Sequence, residues 1–165
     1  MKRENINFND YPFVVPNGKI IEKKFISFIE ELNNAKTAKD TIAVINKINK
    51  YSENISTQMS VIYVKYTLET NNPVYKNAQE ACDELSPVLS NYSTQISKIL
   101  VESPFRKELE EKYGSYLFKM YEGNLKSFDP KIIPELIQEN KLVSEYDSIL
   151  GSAEIPFRGK IYNLS

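Results

Sequence analysis

The stretch Thr37-Ala38-Lys39-Asp40-Thr41-Ile42-Ala43-Val44-Ile45-Asn46-Lys47-Ile48, continued to Thr70, decides the fold. Thr37 followed three residues later by Asp40 resembles a capping box, with Asp in place of the usual Glu or Gln, and marks a helix start. Behind it, Ile42, Ile45, Ile48, Ile55, Met59, Ile62 and Tyr66 recur at helical spacing, with a weak spot around Ser52. At 1.5 Å per residue, a helix over 37–70 would be about 50 Å long. A compact chain of 165 residues has a diameter of about 40 Å. A helix longer than the ball that would contain it implies a mainly α fold, an elongated antiparallel bundle.

The flanking sequence completes the bundle. Residues 1–17 are polar and interrupted by Pro12 and Pro16, which predicts an extended arm. Ile21, Phe25, Phe28, Ile29 and Leu32 form one face of a helix over 18–35. Downstream, Asn72-Pro73, Ser103-Pro104 and Asp129-Pro130 each place a good N-cap before a proline at the first helical position, where the missing N–H costs nothing. The third helix carries Tyr75, Ala78, Cys82, Leu85, Leu89, Tyr92, Ile96 and Ile99. Pro87 lies inside it and clashes with the carbonyl of Asp83, which predicts a kink or break. The fourth carries Leu109, Tyr113, Leu117, Met120 and Leu125, weakened at Gly114 and Gly123. The fifth carries Ile132, Leu136, Leu142, Val143, Tyr146 and Ile149, with Gly151 as its stop. Two short apolar runs flank Gly159 and read as a β-hairpin, with Pro156 confining it to an edge. The expected organisation is therefore an arm over 1–17, a helical lobe of about five helices over 18–152, and a hairpin over 153–165.

Composition narrows the chemistry. The chain has no histidine, which removes Ser-His and Cys-His nucleophiles and His-ligated metals. A net charge of −1 offers no long-range grip on nucleic acid or anionic lipid. No apolar run approaches the length of a membrane span, and the basic N-terminus lacks the apolar core of a signal peptide. A single cysteine, Cys82, suits a reducing cytoplasm. Cys82 lies on an apolar stripe with no base to activate it, so it reads as a structural thiol. Glu135 with Glu139 and Glu80 with Glu84 lie one turn apart, as carboxylate pairs for acid/base or metal chemistry do. Without histidine they read as solvated helix faces. The 11 tyrosines fall mostly on helix stripes with no basic patch between them, which suits a core or channel wall better than base stacking. No catalytic or metal-binding residue is assembled from this chain alone.

The order of several short motifs goes further. Asp10-Tyr11-Pro12-Phe13, Thr67-Leu68-Glu69-Thr70-Asn71, Glu102-Ser103-Pro104-Phe105-Arg106-Lys107-Glu108-Leu109-Glu110 and Leu125-Lys126-Ser127-Phe128-Asp129-Pro130 occur in sequence. They are followed by Glu139-Asn140-Lys141-Leu142-Val143-Ser144-Glu145-Tyr146 and Gly159-Lys160-Ile161-Tyr162-Asn163-Leu164-Ser165. Together they resemble the N-terminal region of the oligoendopeptidase F family, zinc peptidases related to thimet oligopeptidase. The resemblance implies a helical lobe forming part of the wall of a deep channel that admits short peptides. The family's zinc helix, His-Glu-x-x-His, is not in this sequence, so no catalytic or metal residue carries over. The implied zinc and the oligopeptide substrate belong to a catalytic portion that the hairpin would lead into.

The expected partners are that catalytic portion and, for the chain alone, a second copy pairing through Ile155, Phe157, Ile161, Tyr162 and Leu164. The alternative is a free-standing helical protein-interaction module without enzymatic activity. A hairpin of this size is marginal alone and leaves strand edges unpaired.

Overall fold

The computed structural model describes residues 8–162. In order, the elements are α1 (Gly18–Asn34), α2 (Ala38–Leu68), α3 (Pro73–Val101), α4 (Arg106–Tyr113), α5 (Ser115–Ser127), α6 (Ile133–Gly151), β1 (Ile155–Phe157) and β2 (Lys160–Tyr162). Short 3-10 turns at Phe8–Asp10 and Pro130–Ile132 precede α1 and α6. The fold is mainly α with a C-terminal two-stranded antiparallel sheet, as the sequence predicts.

The helix starts follow their caps. Asn17 Oδ1 accepts from the Ile20 N–H at 3.1 Å, and Asn72 Oδ1 from Val74 at 3.0 Å. Thr37 Oγ1 accepts from the Asp40 N–H at 3.1 Å. The Asp40 carboxylate takes its bond from the Thr37 hydroxyl at 2.7 Å, so the box closes side chain to side chain. Helix α2 then runs unbroken through Ser52 for 31 residues, about 46 Å. Ser103 caps a turn instead of a helix: its Oγ accepts from Phe105, and α4 opens at Arg106. Asp129 caps the 3-10 turn that leads into α6.

Of the arm, residues 1–7 lie outside the described residues. The rest is tied down by the Phe13 ring against Tyr75, centroids 5.4 Å apart, and by burial of Pro16.

The core gathers where α1 meets α2 and α3. Phe25, Phe28 and Leu32 bury against Val44, Ile48 and Ile55 of α2 and Leu85, Tyr92 and Ile96 of α3. The Phe25 and Tyr92 rings stack at 5.5 Å, and Tyr92 donates its hydroxyl proton to Glu22 at 3.0 Å. A smaller cluster of Ile62, Ala78 and Cys82 closes the α2–α3 end.

Among the described residues six α-helices stand where about five are expected, because the fourth divides at Gly114. Its φ of 90° lies in a region that side-chain-bearing residues avoid. The turn resets the helical phase. Phe118, absent from the predicted stripe, is 1% exposed, while Met120 turns outward. Arg106 pins the corner, reaching Glu110 at 2.7 Å and Glu122 at 2.8 Å. A Cβ at position 114 would meet nothing within 4 Å, so the cost of a side chain there is one of backbone alone. Gly114→Ala is expected to lose about 1–3 kcal/mol, read as a drop of several degrees in a thermal melt. An unchanged melting temperature would contradict this account of the corner.

Gly151 proves to be a point of close approach as well as the last helical residue: a Cβ there would lie 3.0 Å from Thr70 Cγ2. In the hairpin, Ile155 pairs with Tyr162 and Phe157 with Lys160, across a two-residue turn in which Arg158 and Gly159 both have positive φ. Leu164 lies outside the described residues.

Candidate functional site

Helix α6 is attached by polar groups, and the attachment starts at Pro87. A proline has no N–H to give the carbonyl four residues back, so the Asp83 carbonyl loses its intrahelical donor. Of the expected kink or break there is no break: helix α3 continues through Pro87. Asn140 of α6 supplies the missing donor, its Nδ2 lying 3.1 Å from the Asp83 carbonyl oxygen. The Asp83 side chain, 6% exposed, accepts from Ser144 Oγ at 2.7 Å and from Gln79 Nε2 at 2.8 Å. Lys141 pairs with Glu84 at 2.7 Å, and the Tyr66 hydroxyl donates to the Ser144 carbonyl. Burial pushes the Asp83 carboxyl above the ordinary range, against the opposing pull of the bonds from Ser144 and Gln79.

This inverts the amphipathicity expected of α6. No residue of α6 is buried. Leu136 is half-buried, but Ile132, Leu142, Val143, Tyr146 and Ile149 face outward, the last two 59% and 62% exposed. Glu135 and Glu139 border the same face, flanking a shallow groove of about 470 Å³. The hairpin continues the exposed apolar surface with Ile155, Phe157, Ile161 and Tyr162. Apolar residues on this face contribute little to the lobe itself. The double variant Val143→Glu, Tyr146→Glu is expected to change its stability by no more than about 0.5 kcal/mol in denaturant titration. A loss several times larger would mean the face is part of the core.

A second unpartnered feature escaped the sequence reading. Between α2 and α3 lies a trough of about 780 Å³. Ser52, Ser56 and Ser60 line one wall and Ser86, Ser90 and Ser93 the other, over a floor that includes Ile55, Met59 and Leu89. Gln79, Asp83 and Asn140 also line it. Gln79 Oε1 is buried and has no hydrogen-bond donor among the described residues. Serines at three- and four-residue spacing on two successive helices were the available signal, but such a pattern reads equally as solvated surface.

The remaining candidates fall where plain packing puts them. Cys82 is buried, and burial raises its thiol to about 11, which makes it unreactive near neutrality. Glu84 is engaged by Lys141, while Glu80 is exposed. Among the described residues no three His, Cys, Asp or Glu side chains stand close enough to hold a metal ion. No described helix is long and apolar enough to cross a membrane.

With this geometry in view, comparison with known proteins is informative. A family described as the Peptidase M3 N-terminal domain matches residues 8–128. Among solved structures, PZ peptidase A with an inhibitor superposes with a TM-score of 0.91 at 32% identity, over 96% of this chain and 28% of that one. A protein assigned as oligoendopeptidase F gives 0.92 at 31% identity, over 96% and 28%. Another so assigned, from Bacillus anthracis str. Ames, gives 0.90 at 36% identity, over 94% and 29%. The chain thus spans less than a third of each of these structures. No curated protein matches it by sequence.

Proposed function

The chain belongs to the Peptidase M3 N-terminal domain family, and we propose on that basis that it is the N-terminal helical lobe of a cytoplasmic zinc endopeptidase that hydrolyses short peptides. In this reading the lobe forms part of the wall of the substrate channel and is not catalytic by itself. The observation that carries it is the inverted α6. A free-standing module would turn Leu142, Val143, Tyr146 and Ile149 inward, because leaving apolar area in water forfeits about 25 cal/mol per Å². Here the polar side of α6 is spent on α3, and the apolar side awaits a cover. The remaining two-thirds or more of a related peptidase is the cover we infer, with the strand edges of the hairpin joined by strands of that portion.

Zinc does not fit the residues of this lobe. Histidine is absent from the sequence, and no cluster of acidic or thiol ligands forms among the described residues. Metal binding and water activation are therefore assigned to the rest of the protein. What the lobe supplies is exclusion: a wall that admits an extended peptide and turns away a folded protein.

The test is to read the coding DNA beyond residue 165. An in-frame continuation reaching His-Glu-x-x-His supports the proposal, and a genuine stop codon favours the free-standing interaction module. In the isolated chain, the exposed hairpin is expected to pair copies through Ile155, Phe157, Ile161 and Tyr162. Light-scattering mass measured against concentration, with and without the residues after Gly151, reports that pairing.

A further inference from the structure

We propose that the serine-walled trough between α2 and α3 is the face this lobe turns to an oligopeptide, and that it holds the peptide's main chain in preference to its side chains. The inference rests on the peptidase-lobe reading above. It begins from a contrast between the two unpartnered faces. The outer side of α6 and the hairpin are apolar, as surfaces under a permanent cover are. The trough combines an apolar floor with walls of small hydroxyls, the mixture found where a ligand comes and goes.

Its chemistry restricts the ligand. No lysine or arginine lines the trough, so nothing there holds an anion. The single carboxylate, Asp83, is already engaged by Ser144 and Gln79. A neutral, hydrogen-bonding chain is what remains. Serine hydroxyls both donate and accept, and Ser90, which already gives its proton to the Ser86 carbonyl, can still accept, so two facing rows suit the alternating N–H and C=O groups of a main chain whatever its sequence. Gln79 Oε1 adds a specific demand. It is a buried acceptor lacking a donor among the described residues, and an unpaired buried acceptor is costly. Gln79 lines the trough, and a rotation of its amide would offer that acceptor to a peptide N–H.

The dimensions agree. From Gln79 to Ser97 the lining follows α3 for about 27 Å at 1.5 Å per residue. Extended chain advances about 3.3 Å per residue, so the trough accommodates an octapeptide.

The probe is a capped, uncharged octapeptide of alanine, glutamine and glycine, titrated into the ¹⁵N-labelled chain and followed by amide chemical shifts. Saturable shifts are expected on the trough residues of α2 and α3, with a dissociation constant of about 1 mM because only one wall is present. Ser56→Tyr and Ser90→Tyr alter exposed positions and fill the trough, and each is expected to weaken binding at least about fivefold, roughly 1 kcal/mol. Val143→Glu, on the outer face of α6, should bind as the parent does. No shifts up to about 10 mM peptide, shifts centred on α6 or the hairpin, or unchanged affinity in both filled variants would overturn the proposal. Failure here together with an in-frame His-Glu-x-x-His downstream would remove the trough assignment and leave the lobe reading standing. Binding in the trough followed by a genuine stop codon would do the reverse.

Discussion

A fluorogenic oligopeptide incubated with this chain alone should remain uncut, with or without added zinc. Metal-assisted peptide hydrolysis needs ligands that fix the ion and a base beside its bound water. Histidine is missing from the sequence, and the acidic side chains are dispersed over helix faces or committed to partners. Cys82, the one thiol, is buried and held protonated by that burial. Enzymatic acceleration of about a million-fold or more therefore has no source in this lobe. Equilibrium dialysis should likewise find no stoichiometric zinc. Turnover that depends on zinc and stops with a chelator would refute the assignment of the lobe as accessory.

Replacing Asp83 with leucine should loosen α6 and cost the chain about 3 kcal/mol, because the Gln79 amide and the Ser144 hydroxyl lose their acceptor in a buried seam. At about 2–4 °C per kcal/mol for a chain of this size, the melting temperature should fall by roughly 10 °C. Asparagine at the same position should behave oppositely. Burial raises the Asp83 carboxyl in the folded state, so the folded chain binds that proton more tightly than the unfolded chain does. Its contribution to stability is then greatest below the ordinary carboxylate range and is lost as pH rises through the raised value. Asp83→Asn keeps an acceptor without the buried charge. It should be at least as stable as the parent at neutral pH and should lose the parent's gain in stability on mild acidification. If asparagine proves as damaging as leucine, the negative charge itself holds the seam, through Lys141, and the burial account is wrong.

The helix caps and the α3–α6 seam also show what the sequence could and could not convey. Caps and stripes are local, so Thr37 and Asn72 announced their helices correctly, and Ile21, Phe25, Phe28 and Leu32 announced the core. The division at Gly114 was legible as a weakness but not as a corner, since only the backbone angle distinguishes a tolerated glycine from a required one. Pro87 was read as a fault in α3. The seam shows why the helix survives it: the carbonyl that proline leaves unpaired is satisfied by Asn140, fifty-seven residues away. The stripe on α6 was real, yet periodicity states only that an apolar face needs a cover. It does not say that the cover is this chain's own core. The trough was not legible at all, because a row of serines acquires meaning only from the gap between the helices that carry it.

The central claim is that the outer face of α6 is an interface with the rest of a peptidase, and carbene footprinting tests it most directly. The chain would be labelled alone and again after mixing with the remainder of the Bacillus anthracis relative, the part beyond the region that superposes on this lobe. Labelling at Leu142, Val143, Tyr146 and Ile149 is expected to fall at least about threefold in the mixture, as burial in a specific interface of standard size requires, while labelling of the trough serines stays unchanged. Equal labelling of those four residues in both samples, or protection confined to the trough, would contradict the account.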